Sequence, residues 1–337
     1  MKLEERLESI SEWGNRIASL TDQDLDSLFV KAGNKNRWFT NENCSNALQG
    51  IFPWLQLDVL KRWADQYAIP NDSSSKSIGL VMAGNIPLVG FHDFLCVLVN
   101  GHTARVKLSF LDDELLTYLA NILVGVDERW KQHFSFEDRL NNVAAVIATG
   151  SDNSARYFEY YFRHIPKIIR KNRTSVGVIM GEENPEEIKE LGKDVFTYFG
   201  LGCRNVSKVF VPDNFNLGVL IKSFESYRDI INHNKYGNNY DYQKAIRLVS
   251  GKKFIDGEFV ILEYSTELVS PIALLYYEYY SNLNELSEKL KRNENKIQCI
   301  VSAKGLWKGS VPFGQAQNPA IGDYADGVDT MNFLAEC

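Results

Sequence analysis

Cysteine is scarce in this chain: five in 337 residues, at positions 44, 96, 203, 299 and 337. The number is odd, no two form a CxxC pair, and none groups with the dispersed histidines. That excludes a disulfide framework, argues against a structural zinc site, and suits a reducing compartment. Basic charge is in deficit too, 37 Lys and Arg against 43 Asp and Glu for a net charge of -6. No chain-wide attraction to nucleic acid or to an anionic membrane is expected, so an anionic ligand requires a local site. The opening stretch, MKLEERLESISEWGNRIASLTDQDLDSLFV, is acidic and amphipathic and lacks the basic n-region and apolar core of a signal peptide. The most apolar run, IGLVMAGNIPLVGFHDFLCVLVNG, is interrupted by Asn85, Pro87, His92 and Asp93, which does not suit a membrane span. The expectation is a cytoplasmic protein without membrane insertion. A Walker A loop is missing as well, and GLGCRN lacks the third glycine of GxGxxG, which disfavours an ordinary Rossmann dehydrogenase.

The composition, 45% hydrophobic and 24% charged, is that of a soluble enzyme with one large core or two domains. Residues 1–75 read as a segment of short helices, with apolar spacing of three and four in LESISEWGNRI and DVLKRWADQY. The polar stretch NDSSSKS at 71–77 marks a boundary. From residue 76 to 197, short apolar runs alternate with helical segments: IGLVMA, ARVKLS, NNVAAVIAT and SVGVIMG are the expected strands. The alternation predicts an α/β fold with a doubly wound, Rossmann-like parallel sheet, whose ligands bind beyond the carboxyl ends of the strands. Three of those ends carry suitable chemistry: AGN at 83–85, Lys107 with Ser109, and TGS at 149–151. Residues 198–316 read as a second α/β domain, with KVFVPD and KFIDGEFVILEYS as expected strands, and 317–337, rich in Gly, Asp and Pro, as a return loop.

Several stretches support two readings. Gly150 and Ser151 before a helix form a common cap, and also an anion site. Cys203, in YFGLGCRNVSKVFVPDNF, lies between a helix and a strand, where a cysteine is more often a small buried hydrophobe than a nucleophile. Gly200 and Gly202 shift that balance by keeping bulk away from the sulfur and letting backbone N–H groups face a reacting carbonyl. RHIPKIIRKNR holds Arg163, Lys167, Arg170, Lys171 and Arg173, either a phosphate site or a solvated edge. His92 suits a core role, and YYEYY at 276–280 suits a strand more than an acyl channel.

Taken in order, AGNIPL, ARVKLS, ATGSDN and GLGCRNVSKVFVP resemble the asparagine loop, cofactor-lysine strand, Gly-Ser turn and nucleophile segment of the aldehyde dehydrogenase superfamily. With KNRTSVGVI and FGQAQNPAIGDYADGVDTMNFL, the likeness over roughly residues 75–337 is closest to acyl-CoA reductases of the LuxC type. The resemblance implies Cys203 as nucleophile, Asn85 as the oxyanion-stabilising amide, Lys107 at the adenosine ribose, and Gly150 with Ser151 near the pyrophosphate. Ser109 beside Lys107 is a further candidate cofactor contact. It also points to Arg173 as a substrate contact. About thirty residues before the nucleophile, where aldehyde-oxidising members have a water-activating acid, this chain reads IIRKNRTSVG with no Asp or Glu. Three residues after Lys107, where NAD-preferring members often have Glu, it has Phe110. The implied activity is reduction of an acyl-CoA, fatty acyl by family likeness, to an aldehyde, with NADPH favoured and NADH possible. A homo-oligomer and an acyl-protein synthetase partner are implied only by the family. The alternatives are a CoA-independent aldehyde dehydrogenase and a catalytically silent binding or partner subunit.

Overall fold

In a computed structural model, which describes residues 1–69 and 75–337, the chain divides into two compact units. One comprises residues 1–172 and 320–337, the other 173–319. Most of the NDSSSKS boundary stretch, Asn71 to Ser74, lies outside the described residues.

The first unit opens with α1 (Leu3–Ala18), α2 (Asp22–Lys35), α3 (Asn41–Ile51) and α4 (Leu57–Ala64). The helical spacing read from LESISEWGNRI buries Leu7, Ile10, Trp13 and Ile17 on one face of α1. Thr21 caps α2 through its side-chain oxygen, which accepts the Asp24 N–H. Then follow β1 (Ser77–Val81), α5 (Phe91–Val99), β2 (Thr103–Lys107), α6 (Glu114–Val126) and β3 (Phe134–Phe136). After these come β4 (Ala145–Thr149), α7 (Asp152–Tyr161) and β5 (Lys167–Arg170). The sheet is wholly parallel in the order β3-β2-β1-β4-β5, the doubly wound arrangement expected. Trp13 ties the helical segment to this layer: its ring stacks on Phe91 and its indole N–H donates to the Leu119 carbonyl. Fully burying one such side chain stabilises by about 1.5–3 kcal/mol.

The second unit contains β6 (Thr174–Val178), α8 (Pro185–Phe196), β7 (Val206–Pro212), α9 (Gly218–Ser223) and α10 (Asn234–Ser250). It continues through β8 (Ile255–Asp256), β9 (Ile261–Tyr264), β10 (Leu274–Tyr280), α11 (Leu283–Arg292), β11 (Ile297–Ser302) and β12 (Val311–Pro312). Its seven strands run β12-β11-β6-β7-β10-β9-β8, parallel except for the β8–β9 pair. α12 (Thr330–Ala335) then packs in the first unit, where the His102 ring meets the Leu334 carbonyl at 3.0 Å.

Four local expectations are corrected. SVGVIM does not extend the first sheet: β6 pairs with β7 and β11, which carries residues 173–197 into the second unit. The first sheet instead gains β3 and β5, which the alternation did not reveal. β3 has three half-buried residues, and β5 ends in an arginine that is buried with its charge paired to Asp93 and its other donors on Ala325 and Thr330. KFIDGEFVILEYS is two antiparallel strands, with Glu258 left-handed in the turn between them. The closing stretch, read as loop, ends in the short helix α12. YYEYY lies in β10, as a strand.

Candidate active site

In the first unit the strand order reverses between β1 and β4, so a crevice is expected at their carboxyl ends. Register places the predicted residues along that edge. Val81 stands beside Lys107 on one side and Ala148 on the other. The loop carrying Asn85 therefore leaves the sheet next to the end of β2 and next to the Gly150–Ser151 turn. Asn85 is exposed. Gly84, before it, lies so close to β2's continuation that a Cβ there would sit 2.6 Å from the Ser109 hydroxyl oxygen. Ser109 Oγ also accepts the Leu111 N–H at 3.2 Å, so this hydroxyl shapes the loop. Lys107 is exposed, and its ammonium donates to the Asp138 carbonyl at 2.5 Å. Ser151 caps α7, accepting the Ser154 N–H at 3.3 Å, and Gly150 leaves room for the Phe158 ring, 2.9 Å from where a Cβ would lie. An exposed ammonium and a capped helix N-terminus at one sheet edge suit the anionic, ribose-bearing part of a dinucleotide.

The basic cluster is split. Arg170 is buried, paired with Asp93 at 2.7 Å and donating to Ala325 and Thr330, so it is structural. Arg163 lies over the Tyr160 ring, and Lys167 approaches Glu159 at 3.8 Å. Arg173 belongs to the second unit and donates to the Ile297 carbonyl at 3.4 Å. His92 sits among the rings of Trp54, Trp63 and Tyr324, its Nε2 2.7 Å from the Ile321 carbonyl.

In the second unit Cys203 is half-buried in the turn between α8 and β7. The chain reaches it through three successive left-handed residues, Tyr198, Phe199 and Gly200. Only glycine adopts this conformation freely; each other residue costs roughly 1–2 kcal/mol. Asn205, 2% exposed, holds the turn. Its amide donates to the carbonyls of Asp194 at 3.0 Å and Thr197 at 2.7 Å, while its Oδ1 accepts the Gly202 N–H at 2.8 Å. The Ser175 hydroxyl donates to the Cys203 carbonyl at 3.0 Å and lies 3.1 Å from the Cys299 sulfur. Asp194, fully buried on α8, accepts the Gly314 and Ala316 N–H groups at 2.7 and 2.9 Å, and burial lifts its carboxyl from 3.8 to about 7. Arg204 donates to the Ala316 carbonyl, and Lys208 is buried against Glu278. Burial raises the thiols of Cys44, to about 12, and of Cys96, Cys299 and Cys337, so these are held protonated.

Asn205 and Asp194, and Asn36 and Asp112, which bond to the Gly84 carbonyl and the Leu88 N–H on either side of Asn85, were not singled out by sequence reasoning. Asn and Asp are frequent in turns, and a buried brace carries the same letter as a solvated one. Among the described residues no group of three or more His, Cys, Asp or Glu could hold a metal ion, and no helix is long and apolar enough to cross a membrane.

Solved structures that this chain resembles include aldehyde dehydrogenases. Aldehyde dehydrogenase 21 from Physcomitrella patens, in complex with succinate, aligns over 100% of this chain and 84% of its own, with a TM-score of 0.69 and 14% identity. The Mycobacterium tuberculosis enzyme complexed with NAD+ aligns over 90% and 73%, with a TM-score of 0.66 and 12% identity. A Pseudomonas syringae aldehyde dehydrogenase with NAD+ and octanal gives 90% and 72%, a TM-score of 0.64 and 10% identity. No family model and no curated protein matches the sequence. The fold is that of aldehyde dehydrogenases, with two α/β units each built on its own sheet.

Proposed function

We propose that this chain reduces acyl-CoA thioesters to aldehydes with NAD(P)H, through an acyl thioester on Cys203. The observation that carries this reading is the nucleophile loop itself. A half-buried cysteine is presented by left-handed residues and fixed by a buried asparagine, and such strain gathers at functional sites. The stretch at 168–177, where the resemblance would place an acid to activate water, contains no carboxylate, which favours an acyl-enzyme that survives until it is reduced.

In the proposed cycle the Cys203 thiolate attacks the thioester carbonyl, and the Cys203 N–H donates to the developing oxyanion; the family resemblance assigns the Asn85 amide the same role. The carbon–sulfur bond to CoA breaks, and CoA departs as a thiolate. When bound, the reduced nicotinamide supplies the hydride that converts this acyl thioester to a hemithioacetal. Collapse of the hemithioacetal frees the aldehyde and restores the Cys203 thiolate, so one proton is taken up for each CoA thiol released. Lys107, Ser109, Gly150 and Ser151 would hold the cofactor, and Arg173 a CoA phosphate.

NADPH is the favoured cofactor. Phe110, 76% exposed, adds no charge three residues beyond Lys107, and the nearby Asp113 and Glu114 are both paired with Lys35. Cytoplasmic location remains part of the proposal from the cysteine usage, and self-association and an acyl-protein synthetase partner from the family resemblance.

A panel of acyl-CoAs with NADPH or NADH, followed by cofactor oxidation, tests the reading. Turnover that disappears in Cys203→Ala supports it; turnover retained in Cys203→Ala overturns it. A second reading, CoA-independent aldehyde oxidation, is favoured by the NAD+ and octanal named for the Pseudomonas syringae structure. Aldehyde-dependent NAD+ reduction without CoA would select it.

A further inference from the structure

We propose that Asp112 and Asn36 are positioning residues, which together set the loop that presents Asn85. This rests on the reading of Asn85 as the oxyanion donor. Asn85 is exposed, but the residue before it and the third residue after it are each held by a buried side chain. On the near side the Asn36 amide, 3% exposed at the end of α2, donates to the Gly84 carbonyl at 3.0 Å, and its Oδ1 accepts the Trp38 N–H at 3.1 Å. On the far side Asp112 Oδ2 accepts the Leu88 N–H at 2.9 Å. Leu88 has φ 57, a left-handed conformation that a leucine holds only when something outside it compensates.

Asp112 is itself an expensive brace. It is 7% exposed, and among the described residues its Oδ1 has no hydrogen-bond partner. Among the described residues the titratable groups that act on it include no cation: they are the buried Cys44 thiol on α3 and the neighbouring Asp113, which pairs, as does Glu114, with Lys35 of α2. Burial raises its carboxyl from 3.8 to about 7. An apolar residue would avoid that desolvation but would leave the Leu88 N–H unpaired in the interior and the turn unheld. What the carboxyl secures is a preorganised amide at Asn85, the condition under which an oxyanion donor acts without reorganisation. The N-terminal helical segment, through Asn36, thereby takes part in building the site.

Two measurements on the full chain test this. In steady-state acyl-CoA reduction, Asn36→Ala and Asp112→Ala should each lower kcat by about ten- to a hundredfold, with KM for acyl-CoA within about twofold, as a displaced but still present donor requires. Asp112→Asn, whose amide oxygen can accept the same N–H, should recover kcat to within about threefold of wild type. Wild-type kcat in both alanine variants, or an asparagine variant as slow as the alanine, overturns the proposal. Hydrogen–deuterium exchange supplies a readout independent of turnover. The peptide spanning 84–88 should exchange at least about tenfold faster in Asp112→Ala but not in Asp112→Asn, with the remainder of the chain unchanged. Equal exchange in all three proteins, or faster exchange everywhere in Asp112→Ala, overturns it. If the wild type reduces no acyl-CoA, the functional reading fails and the exchange data alone decide whether the brace exists.

Discussion

The two units build their loops by different means. In the first, Asn85, Lys107 and the Gly150–Ser151 turn share one edge because parallel strands all end there, and the reversal of strand order opens that edge. In the second, Cys203 precedes its strand, and its loop is shaped by successive left-handed residues and by Asn205. Each unit also uses a buried carboxyl to grip loop N–H groups. Asp194 satisfies both oxygens, on Gly314 and Ala316, whereas Asp112 satisfies only one, on Leu88. Topology supplies the first set of positions, with a single left-handed residue, Leu88, in the Asn85 loop, whereas three in succession shape the second. A substitution in the second loop should therefore be felt by the fold, and one at the first edge mainly by the ligand.

The largest effect that sharpens this contrast is expected at Asn205. Asn205→Ala removes donors to the buried Asp194 carbonyl and the part-buried Thr197 carbonyl and an acceptor for Gly202, and should destabilise by about 2–4 kcal/mol in urea unfolding, with turnover lost. A stability loss below about 1 kcal/mol would break the claim that this side chain holds the turn. The carboxyl pair comes next. Both pKa values are raised by burial, so the folded chain keeps protons that the unfolded chain gives up. Their stabilisation is full below about pH 4 and is lost as the pH rises through 7, up to a few kcal/mol for each. Unfolding free energy measured from pH 5 to 8 should fall more steeply in wild type than in Asp112→Asn or Asp194→Asn; parallel slopes would contradict this. Lys107→Ala should leave stability within about 0.5 kcal/mol, since the side chain is exposed, yet raise KM for the cofactor about tenfold. The smallest change is expected for Arg163→Ala, within about 0.5 kcal/mol and with little effect on kinetics, since this exposed guanidinium covers the Tyr160 ring and donates to the neighbouring His164 ring, both at the surface.

The same contrast governs what the sequence disclosed. The doubly wound sheet was legible because β1 and β4 are short apolar runs punctuated by helical segments, a pattern that follows from burial on both faces. The edge residues followed from the rule for such sheets. β5 was hidden because its terminal arginine is buried with its charge paired to Asp93, a partner from another element. Cys203 became a candidate through flanking glycines and family resemblance, but the left-handed Tyr198 and Phe199 could not be foreseen, since their conformation is imposed by tertiary contacts against their own preference. Asn36 and Asp112 escaped notice for a related reason: their partners are backbone groups, which look alike in every sequence.

The most direct test of the central claim is intact-mass measurement of the protein mixed with an acyl-CoA in the absence of reduced cofactor. One acyl group bound per chain, mapped to Cys203 and discharged as aldehyde when NADPH is added, is the predicted result. An unmodified chain, or an acyl group mapped to another cysteine, would contradict it.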